Sequence, residues 1–371
     1  MNVFHVVPSV EETDGIGQYA LRLVGAANAL GVGQHHTVIA LSGILAQSDA
    51  ALPTPQPTAP NPVIAALLRV TDGVSAVVVH LSHYGYAKRG NPTWLALGVE
   101  KWKRTNPNVR IVTMFHELFA LGPPWRSSFW LSPVQRSISR RLLSLSDHAV
   151  TNTPRYAAIL RGWNQTVPIT VLPVFSNVGE AELIKPTADR EALAVVFGRA
   201  GVEDLLYGER RRQLAKLATR LEINRIIDIG PRRKPPPVTI GPAAVEPRGA
   251  LPSGEISAIL SEARYGFLAY WPALLGKSGV LAAYAAHGVI PVLLPRRLGI
   301  SLGVAPDPAG LYINGRWPRT HETWLAALQA DLTAWYAAHS LDGHVERWTG
   351  IVGGGLAIGD VRNHFSAEAS G

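Results

Sequence analysis

Short, unbroken apolar runs alternate along this chain with longer stretches in which small and apolar residues recur every three to four positions. The runs have strand length, and apolar character at successive positions predicts strands buried on both faces. Asn2–Val7, Val38–Leu41, Ala76–Leu81 and Arg110–Phe115 are the first of these. Gly15–Ala29 opens on a glycine turn and carries Tyr19, Leu23 and Ala26–Ala27 at helical spacing, which predicts a helix. Helical or proline-rich segments such as Ala51–Pro62 separate the strands. Alternation of this kind builds a parallel sheet with helices on both faces.

The texture changes around Val171–Glu180, where a strand ends in Pro173 and a polar segment follows through Ala188. Alternation then resumes, with strands expected at Ala192–Phe197, Arg225–Ile229, Gly266–Tyr270 and Val289–Leu294, and helices at Glu203–Leu221, Gly254–Ala263 and Gly279–Ala286. Pro231–Pro252, rich in proline and glycine, reads as a loop excursion. No short-period repeat is present, which excludes solenoids. A chain of 371 residues fits two domains of ordinary size. The expected division is an N-terminal domain over 1–175, a linker over 176–190, a C-terminal domain over 191–345, and a helical segment and tail over 346–371 packing back on the first domain.

Lys277–Gly288, followed by Val-Ile-Pro-Val-Leu-Leu, sets a glycine-marked loop before a small-residue helix and a buried strand. A helix start offers unpaired N–H groups and partial positive charge, to which Lys277 adds a full charge and Ser278 a hydroxyl. A plain alanine helix packed on a sheet would read the same way. Gly276-Lys277-Ser278 matches the end of a Walker A loop, but its first glycine would fall at Trp271 and Pro272–Leu275 are too bulky to wrap a phosphate chain. Gly15-Ile-Gly17 stands some eight residues after its strand, with Ala20 at the third glycine position, which disfavours a nicotinamide enzyme. No Gly-x-Ser-x-Gly elbow occurs. His80, His83, His116 and Glu117 stand at expected strand ends, but without an Asp-x-Asp element they read as hydrogen-bonded structural residues, and no metal is expected.

Composition narrows the picture. No cysteine means no disulfide and no thiolate chemistry, and 47% hydrophobic against 17% charged residues excludes a disordered chain. A net charge of +8 suits nucleic acid, anionic lipid or phosphorylated small molecules without choosing among them. Cations and large aromatics gather in one region: Lys101, Lys103, Arg104, Trp125, Arg126, Phe129, Trp130, Arg136, Arg140 and Arg141. That mixture suits a lipid headgroup boundary, although a solvated helix face explains any one of them. No apolar run approaches the roughly 20 residues that cross a bilayer. With Met-Asn-Val-Phe-His-Val-Val at the start and no targeting pattern there, a cytoplasmic protein, peripheral on the inner membrane face, is expected.

Two successive doubly wound domains, the loop Asp14-Gly-Ile-Gly-Gln-Tyr19 after the first strand, His116 at a late strand end, the segment Ser146-Asp-His-Ala-Val-Thr-Asn-Thr153 and the strand–Gly198-Arg199 start of the second half together resemble a GT-B glycosyltransferase, nearest the retaining family 4. The resemblance implies an α/β fold of two Rossmann-like domains facing each other across a cleft. It implies transfer of a sugar from a nucleoside diphosphate to a glycan or lipid-linked acceptor, as in polysaccharide biosynthesis, with retention, without a metal and without a cofactor beyond the donor itself. For such a donor Arg199, Lys277 and the helix starts at Gly15 and Gly17 and at Ser278 and Gly279 are expected to bind the diphosphate, Lys277 in place of the family's own lysine, and by the resemblance His116 would act at the donor sugar. Lys101, Lys103, Arg104, Trp125, Arg126, Trp130 and Arg140 would face the acceptor or an anionic membrane surface. No nucleic-acid partner is expected, since charge alone points to one. Arg199 or Lys277 could instead pair with Glu203 or Asp204.

The chain departs from the family at its signature pair of glutamates eight positions apart. Those positions hold Leu275 and Ala283, or Gly276 and Tyr284 in the alternative register. The lysine that usually follows the Gly-Arg pair is also absent from Val202–Tyr207. A GT-B scaffold that has lost or altered its activity and serves as a binding or partner protein is therefore the alternative reading.

Overall fold

The computed structural model describes residues 1–11, 14–31, 33–40, 73–120, 125, 127–295, 310–313 and 322–355. In chain order these form β1 (Asn2–Val7), α1 (Gly15–Ala29), β2 (His35–Ala40), β3 (Val74–Leu81), a helical turn at His83–Tyr86, α2 (Thr93–Thr105), β4 (Arg110–Phe115), α3 (Ser127–Leu145), β5 (His148–Thr151), α4 (Pro154–Trp163) and β6 (Ile169–Val171). There follow β7 (Glu191–Phe197), a π-helical turn at Asp204–Glu209, α5 (Arg211–Arg220), β8 (Arg225–Ile229), β9 (Thr239–Ile240), β10 (Ala243–Gly249), α6 (Ser253–Glu262) and β11 (Ala263–Leu268). A 3-10 turn at Pro272–Lys277, α7 (Gly279–Ala286), β12 (Ile290–Leu293), α8 (Glu322–Ala337) and α9 (Leu341–Gly353) complete the series.

The chain divides into two compact units. One holds Met1–Thr151, Tyr156–Val171 and the residues from His344 onward; the other holds Asn152–Arg155 and Leu172–Gly343. The first carries a six-stranded sheet ordered β2-β1-β3-β4-β5-β6, parallel throughout. Its strand order reverses between β1 and β3, and crevices at such points, outside the carboxyl ends of the strands, are where open α/β sheets bind ligands. Asp14 starts α1: its Oδ1 accepts the Ile16 N–H at 3.0 Å, satisfying one of the helix's orphan donors. Ala20 and Val24 of α1 then pack with Val7, Val38 and Ala40.

The second sheet is ordered β12-β11-β7-β8-β10-β9, parallel except for the short β9. Alternate residues of β7 feed two cores. Ala194 and Val196 pack with Leu214 and Leu217 of α5 and Leu325 and Leu328 of α8. Leu193 and Val195 pack with Leu260 of α6 and Leu281 and Tyr284 of α7. Residues 172–190 belong to this unit, where buried Arg190 donates to the carbonyls of Lys185, Leu260, Ala263 and His287.

Two expectations need correcting. Pro231–Pro252 is not only loop: it contains β9 and β10, and β10 pairs in parallel with β8. Only Ala243 and Val245 of β10 are buried, so this strand lacks the continuous apolar run that marks its neighbours. Glu203–Leu221 is not one helix but a π-helical turn and α5, parted at Arg210, which caps both.

Candidate functional site

In the second unit the order reverses between β7 and β11, and several expected residues gather at the carboxyl ends of these strands. Arg199 stands two residues past β7, exposed, and has no ion-pair partner among the described residues. A methyl group placed on Gly198 would lie 3.9 Å from Val280 in the first turn of α7, so the Arg199 loop and the α7 N-terminus adjoin. Ser278 caps α7, its Oγ accepting the Leu281 N–H at 3.2 Å; the hydroxyl keeps its own proton to donate. Lys277, half-buried, ends the 3-10 turn just before this cap. Gly279 opens the helix, with Asn177 Oδ1 3.7 Å from where a methyl group would sit on it.

The loop after β8 adds residues that the sequence pattern does not single out. Arg232 and Asp228 form a buried ion pair. The same guanidinium reaches the Gly198 carbonyl at 2.8 Å and the Ile229 carbonyl at 2.9 Å, which ties the ends of β7 and β8 together. Glu203, buried, accepts the backbone N–H groups of Gly201 and Arg233, each at 2.7 Å. Burial alone would raise its pKa, but these backbone bonds and Arg232 hold it below the usual carboxylate range. The Glu203 carboxylate is thus spent on backbone, and Asp204 lies beside Lys234 at 3.7 Å, so neither pairs with Arg199. Arg233, exposed on the loop that Glu203 fixes to the Arg199 loop, is a second guanidinium for the same rim. The signal for it in the sequence is the basic run Arg232-Arg233-Lys234 directly after a strand.

The structure explains what occupies the two glutamate registers. Ala283 and Tyr284 are both fully buried on α7. The Tyr284 hydroxyl lies 3.2 Å from the carbonyls of both Val195 and Phe267, and its ring fills the space over Gly266, where a methyl group would come within 2.4 Å of it. Tyr284 is therefore a wedge between α7 and the sheet, and burial pushes its pKa up.

In the first unit, Gly15 is exposed at the start of α1 and meets nothing within 4 Å. Gly17 serves packing: a methyl group there would lie 2.0 Å from the Ser9 carbonyl oxygen, so the loop after β1 can cross α1 only over a glycine. His116 directly follows β4 and is 6% exposed. Its Nε2 lies 3.0 Å from His80 Nδ1, and the Tyr19 ring stands edge-on to it at 5.5 Å. Beyond His80 the contacts continue to His5 and His36, which the sequence pattern does not single out. Their signal is a histidine within each of three strands, β1, β2 and β3. Among the described residues no group of three or more His, Cys, Asp or Glu side chains is arranged to hold a metal ion.

Most cations of the basic and aromatic segment have internal partners. Lys103 reaches the Val109 carbonyl at 2.6 Å and Asp147 at 3.3 Å, Arg104 pairs with Glu100, and Arg140 lies 5.0 Å over the Trp163 ring. Lys101 is exposed. Trp125 and Trp130 are 84% and 70% exposed, and on α3 Phe129 and Val134 are exposed as well as Trp130. Arg126 lies outside the described residues. No described helix is long and apolar enough to cross a membrane.

No protein-family model matches this chain, and no curated protein matches it in sequence. Solved structures do match in fold. An alpha-glucosyltransferase in complex with UDP-glucose and DNA containing an abasic site superposes with a TM-score of 0.57 at 10% identity, over 95% of this chain and 99% of that one. A Listeria monocytogenes protein assigned as a UDP-N-acetylglucosamine 2-epimerase gives 0.50 at 14%, over 97% and 98%. The glycotransferase of kitacinnamycin gives 0.50 at 14%, over 93% and 97%. At such identities the likeness establishes the fold, two Rossmann-like domains of the GT-B type, and leaves the reaction to be argued from the residues.

Proposed function

We propose that this chain is a glycosyltransferase that takes a sugar from a nucleoside diphosphate held by its second unit. The observation that carries the reading is the rim at the β7–β11 switch point, where Arg199 and Arg233 stand exposed on loops joined through Glu203, next to the Ser278-capped start of α7. Guanidinium forks suit phosphate oxygens, and a helix start adds N–H donors and partial positive charge. Lys277 adds a point charge beside that helix start. Together they would stabilise the negative charge that grows on the diphosphate as the sugar leaves, the part of the reaction that most needs help.

The finer reading is retention, independence of metal, action by His116 at the sugar, and an acceptor that is a glycan or a lipid-linked sugar at an anionic membrane surface. It follows the family resemblance and the exposure of Trp125 and Trp130. The second reading, an altered GT-B scaffold, is favoured by one observation: in either register the helix position of the second glutamate is taken by a buried side chain, Ala283 or Tyr284.

Calorimetry with UDP and a panel of UDP-sugars, followed by release of UDP with lipid-linked, polysaccharide and DNA acceptors, tests both. Binding with acceptor-dependent UDP release is expected. Binding without turnover for any acceptor supports the scaffold, and absence of diphosphate binding overturns the site itself.

A further inference from the structure

A cavity of about 870 Å³ lies in the first unit at the amino ends of three neighbouring strands. Arg110 begins β4, His148 begins β5 and Ile169 begins β6, and all three line it together with Asp147, Arg161 and Thr170. The volume falls in the range of small-molecule sites, about 300–1,000 Å³. His116 follows the other end of β4, and six residues of strand at about 3.3 Å each put roughly 20 Å between it and Arg110. A small molecule in this cavity therefore does not reach His116.

Each guanidinium here has one structural task, which leaves most of its donors over. Arg110 Nε donates to the Ile351 carbonyl in the last turn of α9 at 2.9 Å, and Arg161, in the last turn of α4, reaches the Ile169 carbonyl at 3.4 Å. Both helix ends thus have the cation that their partial negative charge favours. A guanidinium carries five N–H donors, and among the described residues neither arginine makes a further hydrogen bond or an ion pair. His148, 4% exposed, meets Thr170 Oγ1 at 2.9 Å through Nε2, and its Nδ1 has no partner among the described residues. Burial and then the charge of Arg110 lower its pKa to about 4, so the Arg110 guanidinium acts on this ring. Asp147 is already matched: its Oδ2 accepts the Ile111 N–H at 2.7 Å and Lys103 Nζ at 3.3 Å.

We propose that this cavity binds a phosphomonoester, its phosphate held by the Arg110 and Arg161 guanidiniums beside His148, at a site separate from the donor rim. A phosphate dianion matches two guanidinium charges and offers three terminal oxygens to their forks, whereas a carboxylate matches one. Neutral His148 adds an Nδ1–H donor when its Nε2 accepts the Thr170 hydroxyl proton. The phosphate belongs to a soluble molecule or to a lipid headgroup, which share this chemistry and differ in the probe that binds.

Calorimetry on the full chain with glycerol 3-phosphate, and flotation with phosphatidylcholine vesicles carrying phosphatidic acid, test this site. At least one probe is expected to bind, glycerol 3-phosphate with a dissociation constant below about 1 mM, and Arg161→Ala and Arg110→Gln should each weaken that binding about tenfold or more. Arg161 is exposed, so its variant keeps the fold even where Arg110→Gln frays the end of α9. Arg199→Ala, on the donor rim, should leave it within twofold of the parent. Glycerol 3-phosphate binding that depends on Arg161 assigns a soluble ligand, and vesicle binding alone with that dependence assigns a headgroup. Acetate bound as tightly as glycerol 3-phosphate overturns the phosphate class. Binding that falls in Arg199→Ala and not in Arg161→Ala, or no response of either probe to Arg161→Ala, overturns the site.

Discussion

Arg199 and Arg233 carry the testable content of the site at the level of single residues. Each is exposed, and an exposed guanidinium without a carboxylate to serve contributes little to stability. Arg199→Ala and Arg233→Ala should therefore leave the melting temperature near that of the parent chain. Each should weaken UDP binding by about 1.5–3 kcal/mol, the range for hydrogen bonds to charged groups. Calorimetric affinities within twofold of the parent would remove both from the diphosphate site. His116→Ala should lower turnover well over tenfold with the fold intact by circular dichroism, and unchanged turnover would return His116 to a structural role. Arg199 and His116 are legible in the sequence because each closely follows an apolar run. Arg233 is marked only by its basic run, and its place beside the Arg199 loop is not legible, because the backbone bond to Glu203 that sets it spans thirty residues.

Among the elements, α7 shows how packing overrides a family pattern. Its buried face is fixed by Tyr284, whose hydroxyl satisfies strand carbonyls and whose ring lies on Gly266. Tyr284→Glu, which writes a carboxylate back into the helix, should not create a donor contact. It should destabilise the second unit by several kcal/mol, because a carboxyl group would enter a core of Leu193, Val195 and Leu281 facing carbonyl oxygens. A chemical-denaturation curve within about 1 kcal/mol of the parent would show that α7 can turn this position outward. α3 makes the opposite case. Its cations are largely paired, while Trp130 and nearby Trp125 are exposed, so Trp125→Ser with Trp130→Ser should weaken binding to anionic vesicles more than Lys101→Ser does. Equal binding by all variants in flotation would rule out this surface as the membrane contact.

For the molecule as a whole, acid should act through the first unit. Burial holds His36, His83 and His148, all in that unit, down to about 4 from an ordinary value of 6.5, with His35 adding to the effect at His36 and Arg110 at His148. His5 and His80 are lowered for the same first reason. A histidine held neutral in the fold binds fewer protons than in the unfolded chain below its ordinary value. The stabilisation is fully present above about pH 6.5 and is lost as pH falls toward about 4, on the order of 3 kcal/mol for each of the three. Hydrogen exchange should show protection in Met1–Thr151 falling across that window. A protection pattern constant from pH 7 to 4.5 would contradict the assigned burial.

The amino-acid pattern alone carries the two sheets and most of their strands, because a strand covered by helices on both faces writes its burial as an unbroken apolar run; β1, β4 and β8 are legible to the residue. It also placed Arg199, Ser278 and His116 at strand or helix ends, since turns announce themselves locally. It could not place β10, which is buried at only two positions and carries a proline, nor say that Gly17 makes room for the Ser9 carbonyl. Folding, and no local pattern, brings four histidines of the first sheet into one line and lets Glu203 join two loops. Those contacts depend on strand order and register, which bring together residues dozens of positions apart, and neither is written in the spacing along the chain.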